Sequence, residues 1–198
     1  MGSLRTQAIK TTHGQARHSR RAEGTRRDVG ISETGRPTRT MTSLTLRFGG
    51  DACLPSEVER LLLEVVADGF TLYCCGPRTT PNALVASYPW QDYVDLLTIR
   101  RFDRIITARV SAPKHDRVDL FAPEVVVWAY EGPPQPALRA LLDLLPPHHP
   151  HAPTSAYPAP PALHIPRAEQ RPMTIQLPPP GRAGHRAARL AAMTAPRG

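Results

Sequence analysis

Glu124–Tyr130 (EVVVWAY), followed after Gly132-Pro133-Pro134 by Pro136–Leu145 (PALRALLDLL), sets two periods side by side. The first run is β-branched and aromatic almost throughout, as strands are. Its unbroken apolarity predicts a central strand covered on both faces. The second run places Leu138, Leu141, Leu142 and Leu145 on one stripe of a 3.6-residue period and predicts a helix. Pro146-Pro147 then closes the helix and the domain together.

Further strands lie upstream. Arg104–Val110 (RIITARV), Ala83–Tyr88 (ALVASY) and Phe70–Cys75 (FTLYCC) each read as one, while Tyr93–Ile99 (YVDLLTI) fits a strand or a short helix. Pro55-Ser56-Glu57 opens an earlier helix. Proline suits its first turn, and Val58, Leu61, Leu62, Val65 and Val66 form a core-facing stripe. Asp68-Gly69 stops it. Thr42–Phe48 (TSLTLRF) alternates, with Leu44, Leu46 and Phe48 on one side, and predicts a half-buried strand. Short links between neighbouring strands favour antiparallel pairing. The expectation is an α+β domain at residues 42–147: a mostly antiparallel sheet of five to six strands with two helices on one face. The other face is left to solvent, a ligand or a second subunit.

Charge divides the 198 residues in the same way. Residues 1–41 hold nine basic and three acidic groups, residues 42–147 ten and thirteen, and residues 148–198 six and one, for a total of +8. The N-terminal 41 residues have few large aliphatics and no period, so they are expected to be disordered. The stretch from Pro146 holds 13 of the 23 prolines and is expected to be an extended or disordered tail. His185–Met193 (HRAARLAAM) favours a short helix that is marginal alone. Lysine occurs only at Lys10 and Lys114, a usage typical of GC-rich coding. Met41 precedes the first periodic segment, so residues 1–40 are read as a candidate over-extended start. There is no apolar block behind the N-terminal charges and no bilayer-length apolar run; no signal peptide, membrane span or secretion is expected.

The segments TLYCCGPRTTPNALVASYPW, DYVDLLTIRRFDR and APEVVVWAYEGPPQPALRALLDLLPP resemble a family of short uncharacterised bacterial proteins from high-GC genomes. The resemblance spans roughly Thr42–Pro147. It implies a compact domain and carries no catalytic residues across.

Several residues invite a chemical reading. Cys74-Cys75 offers a thiolate nucleophile if a base lowers its pKa, against two small apolar residues on opposite faces of a strand. His115, beside Asp116 and near Asp119, has the make-up of a general base, but no nucleophile motif accompanies it and a solvated turn is the simpler reading. His148, His149 and His151 resemble metal ligands, yet lack a second pair of ligands at useful spacing, so no native metal is expected. Asp95, Arg100, Arg101 and Asp103 form a charged stretch, read either as a sheet edge guarded against aggregation or as a partner-binding edge. Trp90 is core or a partner anchor, and Trp128 is core. Phosphate-binding, zinc-finger and helix-turn-helix signatures are absent from the sequence.

These readings favour a non-enzymatic, cytoplasmic interaction or regulatory module without a cofactor, engaging a protein partner or forming a homodimer through the sheet. The alternatives are nucleic-acid association through the arginine-rich tails, which would be strongly salt-dependent, and a small enzyme using Cys74, Cys75 or His115.

Overall fold

The computed structural model describes residues 55–77, 80–112, 118–171 and 173–195. Helix α1 (Ser56–Ala67) leads into strands β1 (Thr71–Cys75), β2 (Ala83–Pro89), β3 (Tyr93–Ile99), β4 (Ile105–Ser111) and β5 (Val125–Gly132), then helix α2 (Pro134–Leu142). Beyond it come β6 (Tyr157–Pro158), a 3-10 turn at Pro161–Leu163, α3 (Arg167–Gln170), β7 (Met173–Gln176) and α4 (His185–Thr194). All strand pairs are antiparallel, in the order β6-β5-β4-β3-β2-β1-β7. The fold is α+β, with seven strands and four helices among the described residues where five to six strands and two helices were expected. The ambiguous segment Tyr93–Ile99 is the middle strand. The run at 125–132 lies only one short strand from the edge, and its Val125 and Tyr130 are exposed. Its composition encoded strand formation, not centrality. The expected strand Thr42–Phe48 lies outside the described residues.

Alternation divides the sheet into two faces. Leu72, Leu84, Ala86, Leu97, Ile99 and Ile105 meet α1 and α2, whose Val58, Leu61, Leu62, Val65, Leu138 and Leu141 fill the first core. Val85, Leu96, Ile106, Ala108, Val110 and Val126 point the other way and carry a second core. That second face is covered by the same chain: Leu163 and Ile165 are buried in it, and Phe121, Ala159 and Ala162 pack against it. The covering strap is fastened by backbone hydrogen bonds from Ile165 to Phe121 (2.6 Å) and from Ala159 to Glu124 (2.9 Å).

The disordered tail expected from residue 148 is therefore corrected for residues 148–171 and 173–195. This segment adds strands to both sheet edges, covers the second face, and returns α4 to the helical face. Proline-rich sequence lacks internal hydrogen bonds, but it orders where another part of the fold supplies partners and apolar surface. The face that a homodimer was expected to use is accordingly occupied. Gly69 links the two halves: its φ is +98°, and a Cβ there would lie 2.1 Å from the Arg182 carbonyl oxygen, just before α4.

Candidate functional site

Two polar assemblies stand out, one on each face of the sheet. On the helical face, register aligns Tyr88, Asp95, Arg109 and Trp128 in a row across β2 to β5. Asp95 and Arg109 are fully buried. Arg109 grips the carboxylate with two bonds, Nε to Oδ1 at 2.6 Å and Nη2 to Oδ2 at 3.1 Å. Trp90 Nε1 donates to the same Oδ2 at 2.9 Å. The fully buried Arg186 of α4 completes the site, donating to Asp95 (3.1 Å), Asp68 (3.2 Å) and the Leu141 carbonyl (2.6 Å). Arg189 adds two bonds to Asp68, at 2.8 and 2.6 Å.

Three guanidiniums thus meet two carboxylates. The excess positive charge sits where α2 ends, and the carbonyls of Leu141, Leu142 and Leu145 accept from it. Those carbonyls lie at the negative end of the helix dipole, so they favour cations, the Leu141 carbonyl accepting the Leu144 amide as well at 3.3 Å. Burial by itself would raise the Asp68 carboxyl, but Arg189 and Arg186 beside it outweigh that and hold it below its ordinary value. At the start of α4, two amide hydrogens find partners off the helix: Arg186 N–H donates to the Asp68 carbonyl (2.9 Å) and Ala187 N–H to the Tyr88 hydroxyl (3.2 Å). Arg186 also lies over the Phe70 ring. Every charge here is met from within the chain. The assembly is a latch that fixes α4.

The second assembly is a cavity of about 610 Å³ between the strap-covered face and α3. Thr98, Arg100, Arg101, Arg104, Glu131 and Glu169 line it, with Ile106 and Ala162 as apolar wall. Thr98 lies between Val85 and Ile106 in the sheet register, and its hydroxyl is buried out of reach of the cavity, without a hydrogen-bond partner among the described residues. Leaving a hydroxyl so placed unpaired costs about 1–3 kcal/mol. The rim arginines are held differently. Arg100 pairs with Glu169 (2.6 Å) and Arg104 with Glu131 (2.6 Å), while Arg101 pairs with Asp103 (3.0 Å) just outside. All three arginines are substantially exposed, and single-contact exposed pairs such as those of Arg100 and Arg104 are worth only about 0–1 kcal/mol, whereas Arg101 holds Asp103 by two bonds, at 3.0 and 3.1 Å.

The remaining sequence candidates scatter. Asp95, expected on a charged edge open to a partner, is buried because β3 is the middle strand. Trp90 is half-buried against Tyr88 and anchors that carboxylate. Cys75 is fully buried; burial first, and then the neighbouring Cys74, push its thiol up to about 11. Cys74 packs half-buried against the helical-face core. His149 Nδ1 accepts the His151 amide at 3.2 Å within one turn, and His148 shares that turn region. Among the described residues no group of three or more His, Cys, Asp or Glu side chains is placed to hold a metal ion. His115 and Asp116 lie outside the described residues. Asp119 accepts the Phe121 amide at 2.9 Å, a turn contact. No helix among the described residues is long and apolar enough to cross a membrane.

Sequence reading missed Thr98, Asp68, Arg109, Arg186, Arg189, Glu131 and Glu169. One signal was legible. Arg186 and Leu190 share a helix face at i, i+4, so an arginine interrupts the only apolar stripe of α4. Compared with family models, with curated proteins and with solved structures, the chain matches none.

Proposed function

We propose that this chain is a non-enzymatic, cytoplasmic binding module whose ligand site is the cavity beneath the strap. The observation that carries this reading is the cleft of about 610 Å³ rimmed by Arg100, Arg101 and Arg104, with Ala162 on its apolar side. Cavities of this size suit small ligands, and a few polar groups on an apolar wall are the usual recipe for specificity. Ala162 and Glu169, on one side of this open cleft, come from the C-terminal segment, which also carries the latch. Ligand occupancy and docking of that segment are thus linked through one stretch of chain, as a regulatory module requires.

The enzymatic alternative has little support. The Cys75 thiol is pushed away from the thiolate form, the opposite of an activated nucleophile. Nucleic-acid association through the C-terminal arginines is weakened because Arg186 and Arg189 are engaged internally. A protein partner or second copy has a different surface available: Met173, Ile175 and Leu177, on and just after the edge strand β7, are all exposed. Edge strands are natural pairing sites. If that edge is used, Ile175→Lys will dissociate the complex seen by light scattering.

Two-dimensional NMR of the full chain tests the ligand site. A panel of small acids, neutral molecules and amines is expected to yield binders that shift the resonances of Thr98, Ile106 and Ala162 together. A panel in which no compound of any charge moves those resonances overturns the reading.

A further inference from the structure

We infer that the outer edge of β7 pairs with the same edge of a second copy of this chain, antiparallel about a two-fold axis at Ile175. The inference commits the exposed edge named above to one occupant and is independent of the cleft. The two edges of the sheet are guarded differently. One ends in β6, two residues long with Pro158 as one of them, and the stretch of β5 that β6 leaves uncovered carries the charge of Glu131. Shortness, proline and charge are common protections against strand addition. On the other side, β7 and the residue after it, Met173–Leu177 (MTIQL), hold neither charge nor proline. Prolines stand only outside that stretch, at Pro172 and Pro178–Pro180.

The side chains suit a second copy. Met173 and Ile175 lie opposite Cys75 and Tyr73 in register, so they share the strap-covered face. Cys75 belongs to the second core, and Tyr73 packs against it, edge-on to Phe121. Leu177 follows on that face by alternation. Met173, Ile175 and Leu177 are 43, 53 and 74% exposed, so the second core runs out at β7 into an open apolar stripe. Thr174 and Gln176 take the helical face beside Cys74 and Leu72. A two-fold perpendicular to the sheet at Ile175 sets Ile175 against its own copy, Met173 against Leu177, and Thr174 against Gln176. Apolar then meets apolar on one face and polar meets polar on the other, as a self-complementary contact requires. Moving the axis to a neighbouring residue would set Pro172 against Gln176 or Pro178 against Thr174, and proline has no donor for the ladder. The stripe is small, so the dimer is a weak one.

The test is sedimentation of the full chain from micromolar to millimolar concentration, with hydrogen exchange at both ends of that range. The mass is expected to rise towards that of a dimer, and the outward amides of residues 173–177 to gain protection as it does. Ile175→Lys replaces an exposed side chain and is expected to fold; it sets two like charges face to face and is expected to weaken association by about tenfold or more. Tyr157→Lys, at the opposite edge, serves as the control and leaves association unchanged. Under an added oxidant, Ile175→Cys is expected to give a dimer joined through the introduced thiols, because directly opposed residues bring their Cβ atoms to about 5 Å. Met173→Cys, which meets Leu177 and not its own copy, is expected to cross-link far less. A monomer at every concentration overturns the inference, and so does a dimer that Ile175→Lys leaves intact. Cross-linking no greater for Ile175→Cys than for Met173→Cys overturns it too. Outward amides of 173–177 already protected in the monomer would show that the same chain holds this edge, and overturn it likewise. None of these outcomes touches the cleft, whose reading stands or falls on the small-molecule shifts alone.

Discussion

Arg186 Nε and Asp95 Oδ2, 91 residues apart in the chain, meet at 3.1 Å with neither side chain exposed. The contact joins the last helix to the middle strand. A buried ion pair is a weak source of net stability, because desolvating both charges offsets most of their attraction. Removing one partner is nevertheless severe, since the other is left buried and uncompensated. Here Asp95 keeps Arg109 if Arg186 is lost, whereas Asp68 keeps only Arg189 and the more distant His185.

Arg186→Met is therefore expected to destabilise the fold by about 3–5 kcal/mol in urea unfolding. Arg186→Lys is expected to recover only part of the loss, because one ammonium cannot reach Asp95, Asp68 and the Leu141 carbonyl with the geometry of a planar guanidinium. A loss below about 1 kcal/mol for Arg186→Met, the range of an exposed pair, would show that the latch carries no structural weight.

Truncation after Pro147 is expected to fail as a stable domain. It removes both flanking strands, the strap that buries Leu163 and Ile165, and the α4 residues over Phe70. Deleting only residues 185–198 is expected to lower the urea midpoint and increase binding of a hydrophobic dye. A truncated chain with an unchanged midpoint and no dye binding would return the C-terminal segment to the status of a dispensable tail.

Acid is expected to loosen the latch through Asp68. Its folded pKa lies below the unfolded one, so its stabilisation is fully present above the unfolded value of about 3.9 and is lost as pH falls through the folded value. Asp68→Asn should be less stable than wild type near neutrality and should show a flatter loss of stability below about pH 4. Parallel acid limbs for the two proteins would exclude Asp68 as the titrating group.

Cys75 is expected to resist alkylation at neutral pH in the native protein. It is fully buried and its thiol is pushed up to about 11, so both access and thiolate fraction are low. Peptide mapping after iodoacetamide treatment should find it modified only once the chain is unfolded. Rapid native labelling of Cys75 would revive the nucleophile reading.

Much of the architecture was legible because it follows from period. The stripe of Val58, Leu61, Leu62 and Val65 declares a helix and its buried face, and the apolar run Ala83–Tyr88 declares a strand, which the structure buries on both faces. The sites were far less legible. Asp95 read as one charge in an exposed stretch because a strand's own residues do not say whether it is central or at an edge. Thr98 drew no notice at all: its significance is the lack of a partner, which no neighbour in the sequence encodes.

By itself, the sequence determined the α+β class, the two helices against a mostly antiparallel sheet, and the helical tendency of residues 185–193. These are local matters of backbone propensity and hydrophobic period, carried by residues a few positions apart. Only the tertiary structure decided that a proline-rich, basic C-terminal segment joins the sheet, that Arg186 crosses to Asp95, and that an arginine-rimmed cleft lies beside the covered second face. Each of these depends on partners tens of residues away. A guanidinium is compatible with solvent or with burial, and burial becomes tolerable only when two distant carboxylates and the carbonyls at the end of α2 converge on it.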